Sequence, residues 1–169
     1  MRAPVERKAV WPGLVGFGLT MLAALILHAL PSRVGDGPEL APALPLIALF
    51  IWSVRRPWFV APPVLFGVGL VQDLLAGSPM GVWSLSYLAA FAILRLREAD
   101  GTGADVGPLS LRFSLIALTA FGFAWGTGSV AIGAPVAPAP LITEALLTIL
   151  LFPLFAWAFA RRKERTTFS

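Results

Sequence analysis

Cysteine is absent from this chain, and histidine occurs once. The first absence excludes disulfides, thiol nucleophiles, iron–sulfur clusters and thiolate metal sites. The second leaves no multi-histidine metal centre. Charge is scarce as well. Asp, Glu, Lys and Arg make up 13% of the 169 residues, where soluble domains carry about 25%. The familiar catalytic patterns are missing too. There is no G-x-x-x-x-G-K-S/T phosphate loop, no H-E-x-x-H helix and no G-x-S-x-G elbow. No segment sets a nucleophile beside a base and an orienting group. The expectation is a non-enzyme with no cofactor, no metal and no nucleic-acid partner.

What is present in excess is apolar character. Hydrophobic residues reach 57% and the mean hydropathy is +0.81. A surface of that kind is made for lipid. Stretches of about 20 apolar residues cross a bilayer as helices, and six candidates can be marked off. They run over 11–30, 39–54, 58–76, 80–94, 109–132 and 138–160. The second and fourth are short for a straight crossing at about 1.5 Å per residue; five spans is the rival count. Proline, glycine and serine punctuate the breaks, in PSRVGDGP, RRP, GSP, READGTGADVG and GAPVA. No break holds a soluble domain, so residues 1–169 read as one polytopic all-α membrane domain. The first stretch has a basic start, but it is longer than a signal-peptide core and Pro31 follows it without a clean cleavage pattern; it reads as an uncleaved helix.

Basic residues set the expected orientation. With the N-terminus in the cytoplasm and alternating sides, 12 of the 13 Lys and Arg residues fall inside, and only Arg33 falls outside. Both termini are then cytoplasmic, and the span number is even. Trp11, Trp52, Trp58 and Trp157 lie near the expected interfaces. The basic tail RRKER reads as a stop-transfer anchor that can also meet anionic lipid.

Ionisable residues inside spans are costly and are functional candidates for that reason. His28, Asp73 and Glu144 all fall towards the extracytoplasmic ends of their segments, so a shared polar pocket is geometrically open. Each has a plainer reading. His28 can reach the interface, and Glu144 lies about one turn into its helix, where the dipole favours a carboxylate. Asp73 lies near the C-terminal end of its helix, where the dipole disfavours it. A hydrogen bond, a cation or a proton must compensate, or else Asp73 serves as glue between helices. Tyr87, the single tyrosine, and Ser84 are the candidate donors, because the GSP turn makes the third and fourth segments neighbours. Small residues mark places of close packing. Gly69, Asp73 and Gly77 share a helical face, and Gly122 and Gly126 form G-x-x-x-G. Pro62 and Pro63 suit a first turn, and Pro153 is expected to kink the last segment.

The stretch from Pro45 to Ile93 resembles the rod shape-determining protein MreD family. Its pattern G-x-x-x-D-x-x-x-G-S-x-x-G is met by Gly69, Asp73, Gly77, Ser78 and Gly81, and the Arg56-Pro57 turn fits as well. The resemblance implies an inner-membrane component of the bacterial elongation machinery. It implies a partner, MreC, and a role linking MreB filaments to peptidoglycan synthases. It implies a bundle of about six helices similar to the substrate-binding subunits of energy-coupling-factor transporters, and no enzyme activity. The motif is then a packing and partner-binding feature. From the residues alone, two classes stay open: a scaffold that meets a partner through its membrane faces, and a small-molecule binding or transport subunit using His28, Asp73 and Glu144.

Overall fold

The computed structural model describes residues 11–30, 41–55, 60–97 and 106–165. The expected segment starts at Glu39 and Trp58, the Arg56-Pro57 turn, Arg33 and the READGTGADVG connection lie wholly or largely outside these residues. Six helices and no strand are found among the described residues. They are α1 (Trp11–Ala29), α2 (Leu44–Arg55), α3 (Pro62–Ala76), α4 (Val82–Arg97), α5 (Val106–Ile132) and α6 (Pro138–Arg165). Consecutive helices pack as neighbours in four pairs, most extensively α4 with α5, then α3 with α4, α5 with α6, and α1 with α2. α1 also touches α3.

Several helix limits differ from the expected ones, for local reasons. α2 begins at Leu44 because Pro42 and Pro45 restrict the backbone before it; Pro45 sits in the first turn, where its missing N–H costs nothing. α3 begins at Pro62, preceded by extended Ala61 at φ −70° and ψ 152°, the conformation a following proline imposes. α4 begins at Val82 rather than at position 80, since Gly81 has φ +98°, a left-handed backbone that no helix continues. α6 passes through Pro153 and runs on into the basic tail as far as Arg165.

The core is aromatic and small. Phe113 and Phe152 stack at 4.0 Å, and Phe50 meets each edge-on at 5.3 Å, which ties α2, α5 and α6 together. Each such pair contributes about 1 kcal/mol beyond its buried area. Trp83 meets Phe121 edge-on at 5.4 Å, joining α4 to α5. Between α1 and α2, the Trp52 indole N–H donates to Thr20 Oγ1.

Large apolar side chains are exposed over much of the surface, and a few polar ones are buried in a mainly apolar core. Leu74, Leu150 and Val130 are exposed, while Gln72, Asp73, Ser84, Ser86 and Thr148 are wholly buried. Water would penalise the exposed apolar surface. Within α5 and α6, Gly107–Ile132 and Pro138–Trp157 are long and apolar enough to cross a membrane; the other four helices contribute shorter apolar stretches. The chain is thus an all-helical protein with membrane-compatible helices.

Candidate functional site

α3 and α4 meet at the distance of touching backbones. A Cβ on Gly69 would lie 2.4 Å from both Cα and N of Ser84, so only glycine fits there. At the end of α3 the chain turns through Gly77, whose φ of +64° closes the helix with its N–H on the Asp73 carbonyl. The Ser78 N–H donates to the same carbonyl at 3.1 Å. The Asp73 side chain completes the turn. Its Oδ1 accepts the Ser78 hydroxyl at 2.7 Å and the Trp83 N–H at 3.0 Å, and its Oδ2 accepts the Gly81 N–H at 2.8 Å.

Asp73 therefore caps the N-terminus of α4 from the C-terminus of α3. The first N–H groups of a helix lack partners within it, and its positive dipole end favours an anion. The unfavourable dipole of α3 is offset by the favourable one of α4. Every atom of the hairpin motif has a local structural task, and Asp73 is wholly buried. The donors differ from the expected ones. Ser84 donates to the Phe66 carbonyl at 3.1 Å, and Tyr87 donates to Gln72. Both hydroxyls sit further along α4 than the turn that Asp73 faces.

A second polar cluster lies at the same end of the bundle, where α1 and α3 finish and α2, α4 and α6 begin. The His28 Nδ1 is 3.1 Å from the Pro42 carbonyl, and its Nε2 is 3.3 Å from the Gln72 Nε2. Gln72 Oε1 accepts the hydroxyl of wholly buried Tyr87. Glu144 Oε1 stands 4.0 Å from His28 Nε2 and is buried with no hydrogen-bond partner. One turn further along α6, Thr148 Oγ1 donates to the Glu144 carbonyl at 2.7 Å and accepts the Ala43 N–H at 2.9 Å. That bond joins the start of α2 to α6.

The three ionisable candidates thus divide. His28 and Glu144 come together, whereas Asp73 belongs to the hairpin turn and stays out of their cluster. Gln72 takes its place: its hydrogen bonds join α3 to α1 through His28 and to α4 through Tyr87, and Glu144 on α6 stands beside His28. Gln72 and Thr148 are the residues that a search confined to ionisable groups misses. The signal for the first is an amide in an apolar helix, which needs partners almost as much as a charge does. Among the described residues, no group of three His, Asp or Glu side chains is placed to hold a metal. A Cβ on Gly122 or Gly126 would meet nothing; Gly122 lines two open grooves along α5, one of about 370 Å³ shared with α6 and one of about 530 Å³ that Gly126 also lines. Comparison with family models, curated proteins and solved structures finds no match to this chain.

Proposed function

We propose that this protein is a non-enzymatic scaffold of the MreD kind in the bacterial cell-elongation machinery. It spans the inner membrane about six times, with both termini in the cytoplasm, in a bundle similar to the substrate-binding subunits of energy-coupling-factor transporters. It binds MreC and helps couple MreB filaments to the peptidoglycan synthases. The observation that carries this reading is the α3–α4 hairpin. The five positions that bear the resemblance, Gly69, Asp73, Gly77, Ser78 and Gly81, have one coherent task there, which is what a motif kept for architecture would have. Its partner-binding role is indirect, because the carboxylate is fully used inside the fold. A partner meets the apolar outer faces that the hairpin holds in place, of which the open flank of α5 is the best provided with small residues.

The test is co-purification of the tagged full chain with MreC in mild detergent. A stable complex, together with reporter fusions that place both termini in the cytoplasm, is the expected result. A chain that purifies without MreC overturns it. The buried His28–Gln72–Tyr87–Glu144 cluster favours one alternative, a membrane-embedded small-molecule binding or transport subunit. A compound retained through purification in place of MreC would establish that reading instead.

A further inference from the structure

We propose that His28 and Glu144 form a binding site for one proton, shared between imidazole and carboxyl, that fastens α1 to α6. The polarity of the hydrogen bonds leads there. A carbonyl only accepts, so His28 Nδ1, at 3.1 Å from Pro42 O, carries a hydrogen. In a neutral ring Nε2 is then an acceptor, and the Gln72 amide at 3.3 Å suits it. Gln72 Oε1 in turn receives the Tyr87 hydroxyl. This chain is satisfied from end to end and uses the one Nε2 lone pair, yet it leaves Glu144 Oε1, 4.0 Å from that nitrogen, with no donor.

One proton from water resolves the conflict. On Nε2 it makes an imidazolium that faces the carboxylate, and the Gln72 amide then turns its oxygen to the ring and its NH2 to the Tyr87 oxygen. On the carboxyl it makes an acid that takes the Nε2 lone pair in place of the Gln72 N–H as the 4.0 Å gap closes. Either form is neutral overall and pairs α1 with α6; without the proton, the carboxylate keeps a buried oxygen with no donor. Among the described residues, the other ionisable groups near the pair are few. Tyr87 on α4 donates to Gln72, and Asp73 on α3 is held by its turn. Arg55 on α2 and Arg112 on α5 lie towards the other end of the bundle. The inference stands apart from the scaffold reading, since it needs no partner protein.

His28 is the single histidine, so the full chain labelled with 15N-histidine reports this ring alone. With 13C-glutamate added, and Glu144 assigned by its loss in Glu144→Gln, both halves of the site can be followed by NMR from about pH 5 to about pH 9. The expected result is a common midpoint for the Glu144 carboxyl and the His28 Nε2, or a proton held between them throughout. In Glu144→Gln the imidazole transition is displaced by about 1 pH unit or more. A carboxyl and an imidazole that titrate independently overturn the proposal, as does a site with no proton on either group at the acidic end. If Glu144→Gln does not fold, Glu144→Asp supplies the assignment and the paired midpoints of the unaltered chain decide the matter.

Discussion

Gln72 and Asp73 are consecutive on α3, and both are wholly buried. About 100° of helical rotation separates them, and it sends them to opposite kinds of surroundings. Asp73 faces a turn five to ten residues along the chain, and three local donors satisfy it. Gln72 faces partners 15 and 44 residues away, on α4 and α1. The first environment is built by one hairpin and is closed. The second is built by the whole bundle and leaves an oxygen of Glu144 without a donor. A charge can thus be the more conventional member of such a pair, and the neutral amide the one that connects helices.

This contrast predicts that damage to the hairpin is severe and local in origin. Gly69→Val should have the largest effect. The atoms a new side chain meets are backbone atoms of Ser84, at 2.4 Å, which cannot turn aside as a side chain would. α3 and α4 must separate, at a cost of about 3 kcal/mol or more. The measurement is the yield of monodisperse protein in detergent; a normal yield would show that the helices part easily.

Asp73→Ala comes next. It removes the acceptor from the Ser78 hydroxyl and from the Gly81 and Trp83 N–H groups. Losing a charged acceptor shared by three donors should cost about 3 kcal/mol. Asp73→Asn keeps one oxygen and sets an amide N–H against a backbone N–H, so its thermal midpoint should fall between those of the alanine variant and the unaltered chain. An asparagine variant as stable as the parent would mean that the charge and its place at the α4 N-terminus contribute little.

The difference between the two environments also explains how much of the molecule is legible in its sequence. The all-helical class and the breaks between helices follow from composition and from prolines and glycines, which act through their own backbone. The Gly69, Asp73 and Gly77 spacing is legible for the same reason: a hairpin with a short turn brings near neighbours in sequence together. Even so, the donors to Asp73 are not. Side-chain hydroxyls are the natural candidates, whereas two of the three donors are backbone N–H groups exposed by the start of α4. The pairing of His28 with Glu144 follows only as an open geometric possibility from their shared end of the bundle. Which face each helix turns inward depends on packing between helices distant in sequence, α1 on α3 and α2 on α6. No local pattern in the sequence specifies that, and so nothing in the chain's own order marks Gln72 and Thr148 as partners of distant helices.

The smallest effects compare two hydroxyls three residues apart on α4. Tyr87→Phe removes the donor to Gln72 Oε1. That oxygen is buried where water does not reach, so the loss should be about 1–2 kcal/mol. It should also loosen His28, because the amide is then free to rotate away from Nε2. Ser84→Ala removes an equally buried hydroxyl, but its acceptor is the Phe66 carbonyl inside α3. A helical carbonyl has a second lone pair engaged along its own helix, so nothing is left bare. The expected loss is about 0.5 kcal/mol or less. Thermal midpoints of the two variants in the same detergent separate these outcomes. Equal losses would mean that Gln72 finds another donor when Tyr87 is cut back, and that the network across three helices is no more demanding than a bond within one hairpin.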